Sequence, residues 1–542
     1  MGPTLLTLIA ALVLLNASLS FHNIWPTPAI AWRGELSIEL AVVLIAMIAA
    51  RRGFAAPSRT VLRWMAACWV LLVIGHYADV TTPALYGRDI NLYWDLRYMP
   101  DVAAMVVSAA PLWLIVLSTT AVVVVVVVLY LLFERSLRRV SEALADSRAR
   151  GWIGIAATAA IVVFAGQHLI ARFSQPGYPF EPPVAFATPV VQTYARQARL
   201  VIDARSGSNS LAASPPMNAG LALVRGADVF LVFIESYGAI SYERQDIAPR
   251  LAASRAGLDA AIRDTNRDVV SAYVESPTFG GSSWLAHLSL MSGVEVRDPA
   301  SNASLMTQKR ETMVTVFERQ GYRTVALMPG LRQRWPEGGF YGFDDIYGAA
   351  RLDYRGPEFG WFAIPDQFSL ARFEALERTQ PSRSPRFVFF PTISTHFPFS
   401  PTPPYQPDWT RMLTDRPYGG PAIVDAYAHQ PDWTSFGPGY VNAIAYTYAT
   451  LGGYLRETAG RDRILIVLGD HQPAAAVSGE GAPWDVPVHV IVGIGSASDR
   501  SRILDRLAAR GFRRGLTPQR PALGHMHTLL PVLLDAFSEE RK

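Results

Sequence analysis

Hydrophobic positions are laid out along this chain in two ways. In the first third they run almost unbroken, in five stretches: Leu5 to Leu19, Leu36 to Ala50, Trp64 to His76, Leu112 to Phe133 and Trp152 to Ile170. Apolar runs approaching ~20 residues predict membrane-spanning helices, and the second and third must borrow flanking residues to reach that length. Val122 to Val128 is β-branched throughout, which in water favours strand. In lipid the backbone must satisfy its own hydrogen bonds, so the same run predicts helix. The apolar stretch that begins at Val102 is interrupted by Pro111, so its first part is expected to be an interfacial segment. Glu39, at the edge of the second span, is expected to face other helices or water.

After about residue 221 the pattern changes. Short apolar runs of β-formers alternate with amphipathic segments. The predicted strands are Asp228 to Ile234, Val269 to Val274, Thr324 to Met328, Arg386 to Phe390, Arg463 to Leu468 and Val486 to Val492. Between them, helical spacing covers Ala248 to Thr265, Thr312 to Gln320, Gln367 to Glu377 and Tyr440 to Ala459. Such alternation predicts an α/β domain with a mostly parallel central sheet covered on both faces. The expected organisation is an all-α transmembrane bundle of about five helices over 1–173, an extracytoplasmic linker over 174–220, and a catalytic domain over 221–542. The linker is rich in proline and small polar residues, with a helix expected near Val191 to Ala204.

Charge adds the topology. Arg51, Arg52, Arg59 and Arg63 crowd one connection, and Arg135, Arg138, Arg139, Arg148 and Arg150 another, while Tyr77 to Asp101 holds more acids than bases. The positive-inside rule places both basic connections in the cytoplasm. Five spans then make a multi-pass protein of the cytoplasmic (inner) membrane with its α/β domain on the periplasmic side; a second span within Val102 to Phe133 would reverse this. A cleaved signal peptide is disfavoured because Met1 to Thr4 carries no basic side chain. The net charge of +4 over 542 residues is small and dispersed, and gives no case for nucleic acid. Cys68, the one cysteine, lies in an apolar run, which excludes intrachain disulfides and thiolate metal clusters.

Chemistry concentrates at strand exits, where parallel sheets place functional groups. The first strand delivers Glu235-Ser236, and a late strand delivers Asp470-His471. Two carboxylates and an imidazole are ligands for a hard or borderline metal ion. A glycine-rich turn, Gly280-Gly281, leads to Ser282 or Ser283 at the start of a short helix that stops at Gly293. Serine is a favoured N-cap and glycine a favoured stop, so the motif alone is structural. A hydroxyl there would nonetheless sit among N–H groups that favour anions. His396 leaves a strand through a proline-bracketed loop, and Arg332 to Asp345 is a loop with two arginines and an aromatic, Trp335, expected at the surface. His489, His525 and His527 are expected to be structural.

In order and character these stretches resemble the alkaline phosphatase/sulfatase-like superfamily, and within it the membrane phosphoglycerol transferases, lipoteichoic acid synthases among them. The resemblance implies an alkaline phosphatase-like fold and a metal site of Glu235, Asp470, His471 and the nucleophile. The nucleophile maps to Ser283, with Ser282 and Thr278 as rivals. It also implies contacts to the substrate from His396, His287, Trp335 and Arg334 or Arg332, His396 sharing in catalysis. One divalent ion is expected, manganese first, with zinc or magnesium as alternatives. The implied activity moves phosphoglycerol or a similar headgroup from a phospholipid donor to an extracytoplasmic glycan or lipid, through a covalent serine ester. Phosphoethanolamine transfer is the nearest alternative, lowered by the cysteine-free external domain. A sulfatase or phosphodiesterase-type hydrolase follows, although Ser283-Trp284-Leu285-Ala286-His287 lacks the C/S-x-P-x-R setting of a formylglycine. A non-catalytic membrane sensor is the remote alternative.

Overall fold

The computed structural model describes residues 3–53, 56–109, 111–173, 184–206, 211–332, 335, 338–360, 362–378 and 384–539. The chain divides into two compact units, Met1–Ser206 and Gly207–Lys542.

The first unit is built on helices α1 (Pro3–Ala17), α2 (Ile38–Gly53), α3 (Arg59–Tyr86), α4 (Leu92–Ala109), α5 (Leu112–Ala143), α6 (Ser147–Phe173) and α7 (Val190–Ser206), with a small hairpin of β1 (Phe21–Asn23) and β2 (Ile30–Trp32). A helix stands at each of the five expected spans, but among the described residues only three regions are long and apolar enough to cross a membrane: Arg59–Tyr86, Leu112–Ala143 and Ser147–Ile170. The 15 residues of α1 and 16 of α2 reach only ~22–24 Å at the helical rise, against a hydrocarbon core of ~30 Å. A count of five spans is therefore not supported by length. Val122 to Val128 is helical, as self-satisfaction of the backbone in lipid requires, and Val122, 63% exposed, presents its side chain outward. Pro111 separates α4 from α5 and is the N-cap of α5.

Glu39 does face another helix. Its Oε1 accepts from Val190 N at 2.5 Å and its Oε2 from Ser37 Oγ at 2.8 Å, so it caps the start of α7. The helix expected near Val191 to Ala204 is thus part of the first unit. The two basic connections meet at one end of this unit, where Arg63 Nε lies 3.3 Å from Glu134 and Arg51 donates to Ser141 O at 3.0 Å.

The second unit is an α/β domain on one eight-stranded sheet. Its strands are β3 (Asp228–Ile234), β4 (Asp268–Glu275), β5 (Arg323–Met328), β6 (Asp345–Gly348), β7 (Arg386–Pro391), β8 (Arg463–Gly469), β9 (Asp485–Gly493) and β10 (Arg513–Arg514), in the order β10-β4-β9-β8-β3-β7-β5-β6. From β8 to β6 the pairing is parallel, whereas β9 runs against both β4 and β8, and β10 against β4. All six expected strands form. β3 is central and buried along its length because its pleat feeds two cores. Val229, Leu231 and Phe233 pack on one face, and Phe230, Val232 and Ile234 on the other. That explains an unbroken apolar run where a half-exposed strand would alternate.

At the start of β3, buried Asp228 pairs with Arg386 at 2.5 Å and with Arg463 at 3.2 Å, and Arg463 also reaches Glu374 at 3.0 Å. Register aligns Asp228 with Arg463 at one end of the β3–β8 pair and Ile234 with Gly469 at the other. Glu235 and Asp470 therefore leave the sheet side by side.

Candidate functional site

The site begins with that register. Beyond Ile234 the chain turns sharply, with Ser236 at φ 59°. This left-handed conformation is unfavourable for a residue with a Cβ. The turn aims Ser236 N at Asp470 Oδ1, 2.8 Å away, while His471 N donates to the same oxygen at 2.7 Å. Close approach has its own requirement: a Cβ on Gly238 would lie 1.6 Å from Gln472 Oε1. Only glycine lets the two strand exits pack this tightly.

The helix Ser283–Ser292 supplies the hydroxyl. It is entered through Ser282 at φ 63° and closed by Gly293 at φ 66°, whose N–H caps Ser289 O and Leu290 O. Ser283 Oγ donates to Glu235 Oε2 at 2.7 Å and lies 3.2 Å from His471 Nε2. His471 Nε2 is 3.3 Å from Glu235 Oε1 and 3.7 Å from Asp470 Oδ1. Ligand atoms of Glu235, Asp470 and His471 all lie within 4.8 Å of one another.

This donor set fits a divalent cation. His471 Nδ1 is engaged with Gln472 O at 2.7 Å, which fixes Nδ1–H as donor and turns the Nε2 lone pair toward the carboxylates. Burial and the charge of Glu235 push the Asp470 carboxyl well above the usual range. Burial opposes charge on His471, but Asp470 and Glu235 outweigh it and push the imidazole up to about 9. Burial would also raise Glu235, yet His471 and His396 hold it below the usual carboxylate range. Asp470 and His471 thus favour keeping their protons in the absence of an ion, and a divalent cation binding to this donor set would displace them.

The other expected residues fall into three groups. His396 joins the site: its charge acts on Glu235, its Nδ1 engages Phe397 O at 2.8 Å, and its ring stands edge-on to Phe362 at 5.0 Å. His287, one turn beyond Ser283, lies between Phe233 at 4.5 Å and Phe389 at 5.3 Å. Burial lowers its pKa to about 3 and its Nε2 has no hydrogen-bond partner, so it is a neutral ring beneath the site. Thr278 does not reach the cluster; its Oγ1 donates to Gly281 O at 2.6 Å and closes the glycine turn. Ser282 is the N-cap residue but makes no side-chain cap bond. Trp335, expected at the surface, is half-buried against Tyr341 at 5.5 Å and Phe343 at 6.3 Å. An indole beside an aromatic sequence packs inward when partners are within reach. Arg334 lies outside the described residues, and Arg332 is exposed.

Two residues escaped the sequence reading. Thr392 Oγ1 accepts from Glu235 N at 3.2 Å. Asp366, fully buried, accepts from Ile393 N and Ser394 N at 2.9 Å each and so holds the loop that carries His396. Burial pushes its pKa up to about 6. The expected helix begins at Gln367, one residue beyond Asp366, so the sequence pattern assigns Asp366 no role.

A mostly parallel sheet thus carries a carboxylate–imidazole–hydroxyl cluster at the carboxyl ends of its central strands. Residues 286–487 match the sulfatase family, in line with the sequence resemblance. The match takes in His396, Asp470 and His471 and starts just after Ser283. No curated protein matches the chain. Among solved structures, the lipoteichoic acid synthase LtaP from Listeria monocytogenes is similar at 15% identity over 55% of this chain and 72% of its own, with a TM-score of 0.36. The Streptococcus pyogenes phosphoglycerol transferase GacH, in complex with sn-glycerol-1-phosphate, is similar at 12% identity over 64% and 81%, with a TM-score of 0.34. The periplasmic domain of phosphoethanolamine transferase EptC from Campylobacter jejuni is similar at 12% identity over 58% and 89%, with a TM-score of 0.35. Likenesses this distant do not bear on the substrate of this chain.

Proposed function

We propose that this protein is a metal-dependent membrane phosphotransferase. It moves phosphoglycerol or a similar phospholipid headgroup to an extracytoplasmic glycan or lipid through a covalent ester on Ser283. The observation that carries the reading is the Ser283 hydroxyl held 2.7 Å from Glu235 inside the three-residue ligand cluster. Unaided, a serine hydroxyl is a poor nucleophile near neutrality and needs a base or a cation at the oxygen.

Glu235, Asp470 and His471 would hold one divalent ion, manganese by preference, which when bound supplies Lewis-acid charge at the reacting oxygens. Ser283 Oγ attacks phosphorus and its proton passes to Glu235 Oε2, the acceptor it already faces. The helix that begins at Ser283 directs its positive end toward the phosphoryl oxygens. The phosphorus–oxygen bond to diacylglycerol breaks, and His396, with Nδ1 tied to Phe397 O, presents Nε2 to protonate the leaving oxygen. In the second half the acceptor hydroxyl gives its proton to His396, attacks the phosphoserine, and Ser283 regains its proton.

Membranes containing the full chain, incubated with headgroup-labelled phosphatidylglycerol or phosphatidylethanolamine, test the reading. Diacylglycerol release with phosphatidylglycerol label on glycan or lipid is the expected result, abolished by Ser283→Ala and by Asp470→Ala. Label transferred only from phosphatidylethanolamine makes it a phosphoethanolamine transferase, and label released only to water a hydrolase. Full turnover by Ser283→Ala overturns the covalent route.

A further inference from the structure

A groove of about 860 Å³ runs between α2 and α6 in the first unit. Ile48 on α2 and Ile155 and Val162 on α6 form its apolar walls, and Gly151 and Gly154 keep its floor open. A Cβ on Gly151 would meet nothing within 4 Å, and one on Gly154 only Ile48 Cδ1 at 3.5 Å. From Arg150 to Val162 the groove follows α6 for ~18 Å at the helical rise. Its volume lies in the ~300–1,000 Å³ range of small-molecule sites, too large for an ion. α6 holds one of the candidate spans, and Ile155 and Val162 are each 63% exposed, so the medium outside the groove is lipid.

The groove is not apolar throughout. Arg52, in the last turn of α2, and Arg150, in the first turn of α6, line one end of it. The acids of this end are already engaged. Glu134 pairs with Arg63, Glu142 with Arg138 and Arg139, and Asp146 accepts from Arg148 N and Ala149 N at the start of α6. Arg150 donates only to the neutral Leu144 carbonyl, at 3.2 Å. Among the described residues neither Arg52 nor Arg150 has a carboxylate partner. Two uncompensated guanidinium groups at one end of an apolar groove call for an anion with a long apolar tail.

We infer that the α2–α6 groove binds an anionic glycerophospholipid, its phosphate held between Arg52 and Arg150 and one acyl chain lying along Gly151 and Gly154. Guanidinium forks suit phosphate, and basic pockets between membrane helices select anionic headgroups. The site belongs to the first unit and to the basic-loop end, so it does not depend on the Ser283 chemistry.

The test uses the full chain carrying Ser283→Ala, so that no lipid is consumed. The purified protein in detergent is offered equimolar phosphatidylglycerol, phosphatidic acid and phosphatidylcholine of matched chains, and retained lipid is counted by native mass spectrometry. Both anionic lipids are expected to exceed phosphatidylcholine by roughly ten- to thirty-fold, the worth of two basic contacts. Arg52→Gln with Arg150→Gln should remove that preference, while Arg138→Gln, at an arginine already paired with Glu142, should keep it. Equal retention of phosphatidylcholine overturns the inference without any variant, so a misfolded double variant does not shield it. Retention of phosphatidylglycerol alone also overturns it, because glycerol rather than phosphate charge would then be read. Unchanged preference in the folded double variant does the same. None of these outcomes reads turnover, so failure here is distinct from failure of the proposed transferase reaction.

Discussion

The β3–β8 pair has buried carboxylates at both of its ends, Asp228 at the start and Glu235 with Asp470 at the finish, and the two ends are solved differently. At the start, Asp228 is matched by Arg386 at 2.5 Å and Arg463 at 3.2 Å. Burial alone would raise its pKa, but the two guanidinium groups outweigh it and hold Asp228 below the usual carboxylate range. At the finish, Glu235 and Asp470 share one imidazole, the Ser283 hydroxyl goes to Glu235, and Asp470 is driven well above that range. One end is closed by charges the chain itself supplies. The other sets two carboxylates against a single imidazole, His471, a donor set suited to a cation from outside. A buried acid is thus a structural group or a functional one according to whether its counter-charge is covalently part of the fold.

The comparison can be broken in four ways. The largest effect is expected from Ser283→Ala, which removes the attacking oxygen and should cut turnover by about 10⁴-fold or more while leaving divalent-ion binding, read by calorimetry, in place. Next comes Asp228→Ala, at the closed end. It leaves Arg386 and Arg463 buried without their shared partner and should cost about 3–5 kcal/mol in urea unfolding. Third is the pH response of His489, which burial holds neutral with a pKa of about 3 against an ordinary 6.5. The unfolded chain binds this proton more readily, so the stabilising contribution is whole above pH 6.5 and drains away as pH falls toward 3. At pH 5 the loss is roughly 2 kcal/mol, and His489→Asn should flatten the slope of unfolding midpoint against pH. The smallest effect has the opposite sign. Asp470→Asn keeps an acceptor oxygen for Ser236 N and His471 N but removes a buried like charge. In the presence of chelator it should unfold at higher urea than the parent, by about 1 kcal/mol. A lower midpoint would show that Asp470 is closed by the fold after all.

Much of this was legible because it lies in strand ends. Glu235 and Asp470-His471 follow runs too apolar for anything but a central strand, and strand exits are where parallel sheets work. Ser283 was readable as a helix start, though only coordinates separate it from Thr278, which spends its hydroxyl on Gly281. Asp366 and Thr392 were not readable, because their role is to hold other loops through backbone amides, a relation with no sequence spacing. The antiparallel course of β9 was hidden for a similar reason: buried on both faces, it is as uniformly apolar as a parallel strand. In the first unit, composition located the helices but overstated how many are long enough to span, since apolar character persists through α1 and α2 while helical length does not.

The two-residue strand β10 bears on solubility. Beyond it the sheet stops, and both of its side chains, Arg513 and Arg514, are exposed. β10 pairs with Val270 and Ser271, in the middle of the eight-residue strand β4, and withholds that stretch of edge from any extended chain nearby. Two positive charges on a strand too short to template another make a poor partner for edge-to-edge growth. The guard against fibre-like association is shared between that pair of arginines and the backbone that follows, which bonds to Val269, Tyr273 and Glu275.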